Sequence, residues 1–135
     1  MVDRENEIYT AIAVPLRAEF SGINVTGEYV PAPAKLPHVS IVEMDNYTPE
    51  RLISSADTEK HAAVMYEINV YSNLASGKKN QAKKILNTID DKVLSMGFKR
   101  ASVTVVPNEQ SASIYRIVAR YTGIVTQSEN TVYNK

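Results

Sequence analysis

Apolar residues recur at three- and four-residue spacings in two segments of the chain, a period that predicts two amphipathic helices. Asp3 is placed to cap the first helix, and Gly97 is placed to end the second in a left-handed turn. The first stripe comprises Ile8, Ala11, Ile12, Leu16 and Phe20, and the second comprises Ala82, Ile85, Leu86, Ile89, Val93 and Met96. Each helix is therefore expected to bury one face and leave the other in solvent.

Pro15 lies inside the pattern of the first helix. Proline has no backbone N–H, and its ring clashes with the preceding helical turn. The sequence therefore predicts a kink or a break near Val14.

Alternation of apolar and polar residues predicts strands in the rest of the chain. "GINVTGEY" is typical of a short edge strand or an arm, and the longer strands are "HVSIVEM", "HAAVMYEINVYSN", "FKRASVTVVP" and "SIYRIVARYTGIV". The second of these longer strands is expected at the centre of a sheet, and the last two are expected to form a hairpin. Tyr115, Ile117, Ala119 and Tyr121 give the last strand one apolar face.

The connections between these segments are polar or rich in proline. Pro31, Pro33 and Pro37 predict a stiff, extended arm over residues 22–36. Residues 45–60 form a long polar loop, in which Pro49 after Thr48 favours a single helical turn. Residues 127–135 are expected to be a polar tail that is mobile unless a partner holds it.

The order of these elements predicts the fold class. Neighbouring antiparallel strands with helices on one face are typical of an α+β fold rather than of an alternating parallel sheet. We therefore expect a mostly antiparallel sheet with two main α-helices packed on it, in a single domain over residues 1–126.

Composition excludes several classes of protein. The chain has 135 residues and no cysteine, which excludes a disulfide framework and thiolate zinc sites. Its 15 basic and 15 acidic side chains give no net charge, so any attraction to nucleic acid or to a membrane must be local. No apolar run is long enough to span a bilayer, and the acidic, polar N-terminus is unlike a secretory signal, so the chain is expected to be soluble.

The turn before the second helix ends in Gly77 and Lys78, as phosphate-binding loops do. Such a loop needs glycine five positions before the Gly-Lys pair and a hydroxyl after it, but Ser72 and Lys79 occupy these positions. A plain turn in which Ser76 or Asn73 begins the helix is therefore the favoured interpretation.

No catalytic, cofactor or metal site is predicted. His38 and His61 each open a strand without a closely spaced histidine or cysteine, so both are expected to be structural. Asp90 and Asp91 are adjacent on a helix and point about 100° apart. Asp57 and Glu59 share the polar loop, which is a poor scaffold for a metal ion. The chain is therefore not expected to be an enzyme.

Charged side chains remain as candidate contacts with a partner. The second helix begins with Lys78, Lys79, Lys83 and Lys84, which oppose the helix dipole. They form either a solvated face or a contact with an acidic surface or a nucleic-acid backbone. Arg116 and Arg120 share one strand face, where Glu43 or Glu67 of a neighbouring strand is able to pair with them. Asp57 and Glu59 complete the set of candidate contacts.

Four segments together resemble the small tail-terminator, or tail-completion, proteins of tailed bacteriophages and prophages. They are "PHVSIVEMDNYT", "YEINVYSNLASGKK", the helix ending in "MGFKR", and "VPNEQSASIYRIVARYTGIV", and they span roughly residues 37–125. The resemblance rests on the order and wording of these segments, without a catalytic signature.

The resemblance implies a virion structural protein, made in the host cytoplasm, that assembles as a ring, commonly a hexamer, on the end of the tail tube. The ring stops tube polymerisation and meets the head connector or stopper protein, and DNA passes through it without being read. Arm 22–36, loop 45–60 and the tail are then natural contact elements that order only on assembly.

Two other functions stay open at this point. A head-completion or connector adaptor has a similar size and also forms rings, but it sits on the portal side. A small nucleotide-binding module or enzyme that uses the Gly77-Lys78 turn belongs to a different class.

Overall fold

The computed structural model describes residues 3–30, 33, 35–47, 61–74, 76–107, 113–126, 132 and 133. Within these residues the chain forms two helices and one sheet, which confirms the predicted α+β fold. In chain order the elements are α1 (Glu5–Glu19), β1 (Asn24–Thr26), β2 (His38–Tyr47), β3 (His61–Ser72), α2 (Lys78–Ser95), β4 (Lys99–Pro107), β5 (Tyr115–Thr126) and β6 (Val132–Tyr133).

The sheet has the order β1-β2-β3-β5-β4, and β6 also pairs with β5. Only the β1–β2 pair is parallel among the described strands. Ile41 of β2 lies opposite Ile68 of β3, which lies opposite Ala119 of β5. Because side chains alternate along a strand, these three residues share one face of the sheet.

Both helices cover this face, which we call the helix face. Ile12 and Leu16 of α1 and Ile85 and Ile89 of α2 join Ile68 in one buried core. Tyr66 meets Phe98 edge-on, with ring centroids 5.8 Å apart. Edge-to-face rings of this kind add to the stabilisation that apolar burial provides. The predicted apolar stripes of both helices are therefore largely confirmed.

Helix α1 passes through Pro15 without interruption. Of the two predicted alternatives near Val14, the break is therefore wrong, and the kink stays a prediction. Ile8, Ile12 and Leu16 form a buried stripe on both sides of the proline. Burial of these side chains on the sheet offsets the one backbone hydrogen bond that proline removes.

Both ends of α2 depend on glycine. Gly77 is the N-cap with φ of 97°, and Gly97 follows the helix with φ of 97°. The left-handed end at Gly97 is confirmed. The prediction that Ser76 or Asn73 begins the helix is wrong, because Gly77 holds that position and no side chain caps it.

Several strand limits differ from the predictions. β2 extends to Tyr47 after a bulge between Glu43 and Asp45, so residues 45–47 belong to the sheet rather than to the polar loop. The rest of that loop, with its predicted turn at Thr48, lies outside the described residues. Val132–Tyr133 forms β6, so part of the predicted tail also pairs with the sheet.

The arm belongs to the fold where the structure describes it. Asn24–Thr26 forms β1 beside β2, and Tyr29 packs over Arg116 of β5. The expectation that this arm becomes ordered only on assembly is therefore wrong for these residues.

Strand β4 is the exposed edge of the sheet. Val103 and Val105 lie opposite Ala119 and Ile117, on the helix face. They are nevertheless 46% and 53% exposed, so the core is much thinner over β4 than over β3 and β5.

Candidate functional site

The lysines at the start of α2 lie at the surface. Lys79, Lys83 and Lys84 are exposed, and Lys78 is half-buried. None of the three exposed lysines forms an ion pair with another described residue. The first turn of α2 contains no acidic residue that offsets their charge.

Lys83 and Lys84 border the larger of two grooves that lie at the ends of α1. We call it the basic groove; its volume is about 670 Å³. Phe20, at the C-terminal end of α1, and Leu74, which is 48% exposed, supply its apolar surface. Lys83 and Lys84 supply its charge. The groove is therefore suited to an apolar segment that carries negative charge.

Carboxylates gather at the opposite end of α1. Single oxygens of Asp3, Glu5 and Glu43 lie within 4.8 Å of one another. Burial raises the pKa of Glu43, the hydrogen bond from Tyr66 lowers it, and the charge of Glu5 raises it further. Tyr66 donates this bond over 3.0 Å, and its own pKa is raised by burial and by Glu43. Like charges therefore repel one another within this cluster.

Glu5 of this cluster also borders a second groove, of about 390 Å³, between α1 and β1. Glu28 lies on its other side, and the half-buried Tyr9 and Val30 contribute apolar surface. We call this groove, together with the carboxylates of Asp3 and Glu43, the acidic groove. Sequence reasoning missed it because its residues come from three separate elements.

Arg116 and Arg120 lie on the face of the sheet opposite the helices, which we call the open face. Arg120 forms an ion pair with Glu67 over 2.9 Å, as one of the predicted alternatives required. The other alternative, Glu43, is wrong, because this residue lies on the helix face beside Tyr66. The arginines border a cleft of about 340 Å³ together with residues of β3 and β4.

Arg116 binds Asn69 rather than a carboxylate. Its Nε and Nη2 atoms donate to Asn69 Oδ1 over 3.0 and 2.7 Å. The guanidinium lies 5.6 Å from the ring centroid of Tyr29 and 5.5 Å from that of Tyr71. Burial raises the pKa of Tyr71 to about 12, although the charge of Arg116 acts in the opposite direction. Both arginines are therefore satisfied within the chain, whereas Lys79, Lys83 and Lys84 are not paired with a carboxylate of any residue that the structure describes.

His38 is a buried structural histidine, as predicted. Thr26 Oγ1 donates to the Glu28 carbonyl, so its oxygen is available to accept from His38 Nε2 over 3.2 Å. The amide of Asn24 donates to His38 Nδ1 over 3.0 Å. This network fits the neutral ring protonated at Nε2. Burial lowers the pKa of His38, in agreement with that state.

This arrangement makes stability depend on pH. Since the folded pKa of His38 lies below its ordinary value of 6.5, the unfolded chain binds the proton more readily. His38 therefore contributes stability that is complete above pH 6.5 and is lost as the pH falls below it, with a slope of at most about 1.4 kcal/mol per pH unit.

Urea unfolding of the wild type and of His38→Gln across this pH range measures the effect. The raised pKa of Glu43 acts in the opposite direction in both proteins and cancels in the difference. A difference in unfolding free energy that does not change with pH would contradict the network.

Asp90 and Asp91, the remaining candidates whose side chains are described, do not form one chemical site. Asp90 accepts hydrogen bonds from Tyr121 over 2.8 Å and from Arg100 over 3.0 Å, which makes it a link between α2 and the sheet. Asp91 is exposed. His61 begins β3. Asp57 and Glu59 lie outside the described residues.

The Gly77 turn differs from a phosphate-binding loop in its packing as well as in its sequence. Ser72 is buried where that loop needs bare glycine, and its hydroxyl donates to the Gln81 side chain of α2. The position is therefore occupied by a link between β3 and α2.

Neither described helix has the length and apolar composition needed to cross a membrane. Comparison with protein-family models finds no family that matches this chain, and comparison with curated proteins finds no significant match.

Proposed function

We propose that this chain is a structural protein of a phage or prophage virion and acts as a tail terminator. It forms a ring, commonly a hexamer, that caps the tail tube and joins it to the head connector. In this proposal it assembles in the host cytoplasm and performs no catalysis. DNA passes through the ring without sequence-specific contacts.

The resemblance of residues 37–125 to tail terminators is the observation that carries the proposal. In the described part of this run, β2, β3, α2, β4 and β5 form consecutive elements around one core. The surface also supports assembly. A subunit in a ring needs two different patches that meet head to tail, and the two grooves at the ends of α1 have opposite charge.

Deletion of the gene from its phage or prophage tests the proposal. We expect tails of irregular, extended length that carry no heads, because tube polymerisation no longer stops. Electron microscopy of the lysate measures the lengths, and the wild-type gene supplied in trans is the control. Tails that end normally and carry heads would contradict the proposal.

The same experiment distinguishes the alternatives. Normal free tails beside DNA-filled heads without tails would favour a head-completion adaptor. For the nucleotide-binding alternative, calorimetry with ATP and GTP in magnesium is the test. Micromolar binding that Lys78→Ala abolishes would support that alternative against the terminator.

A further inference from the structure

The two grooves lie at opposite ends of one rigid element. Glu5, in the first turn of α1, borders the acidic groove, and Phe20, just after its last turn, borders the basic groove. A helix of 15 residues is about 22 Å long at 1.5 Å per residue. The two grooves of one subunit are therefore too far apart to satisfy each other.

Each groove concentrates charge of one sign. Asp3, Glu5 and Glu43 lie close enough to repel one another. Lys83 and Lys84 form no ion pair with a described residue, and they lie in the first half of a helix whose positive dipole end is nearby. Contact between grooves of opposite sign relieves both repulsions.

The grooves also match in chemical character. Each combines a charged rim with apolar surface, from Phe20 and Leu74 in the basic groove and from Tyr9 and Val30 in the acidic groove. Apolar contact at the centre with complementary charge around it is typical of specific protein interfaces. A duplex DNA backbone has complementary charge for the lysines, but it offers no partner for the acidic groove or for Leu74.

We propose that the basic groove of one subunit binds the acidic groove of a second copy of this chain, so that subunits join head to tail. This inference rests on the proposed function and names the surfaces that form the ring. Because two different patches meet, each added subunit leaves one groove of each sign free, and growth stops only when the ring closes.

Two charge-reversed variants of the full-length chain test this contact. Lys83→Glu with Lys84→Glu makes the basic groove acidic, and Asp3→Lys with Glu5→Lys makes the acidic groove basic. Each variant alone places like charges across every contact. We expect each to need at least about tenfold more protein than the wild type for half-assembly at low salt.

Mixing the two variants is the decisive measurement. In an alternating ring every contact again joins opposite charges, half of them in reversed orientation. We therefore expect an equimolar mixture to assemble within about threefold of the wild-type concentration. Sedimentation velocity up to millimolar protein measures this. Lys35→Glu with Lys99→Glu is the matched control for the lysine variant, because both lysines are exposed, lie outside the grooves and give the same change in net charge as Lys83→Glu with Lys84→Glu.

Cysteine cross-linking provides a second measurement that also detects weak contacts. The chain contains no cysteine, so Glu5→Cys with Lys84→Cys introduces one thiol in each groove. We expect mild oxidation of this double variant to produce a ladder of covalent oligomers. Each single variant has one thiol per chain and can form at most a covalent dimer. We expect little dimer from either, since a head-to-tail contact does not bring two identical positions together.

Three results would overturn the inference. The first is unchanged assembly of both charge-reversed variants, and the second is a mixture that does not recover. The third is a wild type that stays monomeric together with a double-cysteine variant that gives no ladder. This third result overturns the inference also where the wild type binds labelled duplex DNA through Lys83 and Lys84. Tails of extended length after gene deletion would still support the terminator in each case, so the two proposals fail separately.

Discussion

Shortening Ile68 to alanine is expected to lower the free energy of unfolding by about 3 kcal/mol. Ile68 is fully buried at the middle of β3, where it lies between Ile41 and Ala119 on the helix face. Both helices pack over this face, so little room exists for the surroundings to collapse into the cavity. Urea unfolding measures the change, and an unchanged m-value indicates that the variant unfolds from the same compact state.

Val105→Ala is the matched control for this prediction. Val105 lies on the same face of the sheet as Ile68, but it is 53% exposed on β4. We expect a loss below about 1 kcal/mol, since the side chain already contacts water. Equal losses in the two variants would show that the core extends over β4, contrary to the structure.

The sequence predicted the elements whose pattern reflects their own burial. Ile68 and its neighbours alternate because only one face of β3 contacts the helices, and Ile85 and Ile89 recur at helical spacing because one stripe of α2 is buried. Gly97 was identifiable because a left-handed helix end strongly favours glycine. In these cases local sequence and tertiary packing give the same answer.

Pro15 shows where a local rule is insufficient. The cost of proline in a helix is local, whereas the stabilisation that offsets it comes from Ile12 and Leu16 against the sheet. Only the packed structure reveals which contribution is larger. The two-residue strand β6 is a similar case, because it is too short for alternation to identify it.

The residues of the candidate site also divide into those that the sequence placed correctly and those that only the folded chain brings together. Glu67 was one of the two partners on neighbouring strands that the sequence offered for the arginines, and it pairs with Arg120. The sequence also contained the information that places Glu43 on the helix face, because Glu43 alternates in step with Val39 and Ile41 along β2. The acidic groove could not be predicted from the sequence, because Asp3 and Glu5 come close to Glu43 only in the folded chain. The stacking of Tyr29 on Arg116 likewise depends on the path of the arm.

Replacing Arg116 by alanine is expected to lower the free energy of unfolding by about 3 kcal/mol. Asn69 is fully buried, and Arg116 supplies both hydrogen bonds to its Oδ1 atom. An unsatisfied buried acceptor costs roughly 1–3 kcal/mol. Loss of the guanidinium from between Tyr29 and Tyr71 adds about 1 kcal/mol. Urea unfolding at neutral pH measures the total.

Two further variants show whether this loss comes from the Asn69 contact. Arg120→Ala removes the other arginine of the open face, and we expect a loss below about 1 kcal/mol because the Arg120 side chain is half exposed. A double-mutant cycle of Arg116→Ala with Asn69→Ala should give a coupling energy of about 1.5 kcal/mol, since removing Asn69 also removes the acceptor that Arg116 would leave unpaired. If the two losses add, then the hydrogen bonds to Asn69 contribute little, and Arg116 stabilises the fold mainly through its contacts with Tyr29 and Tyr71.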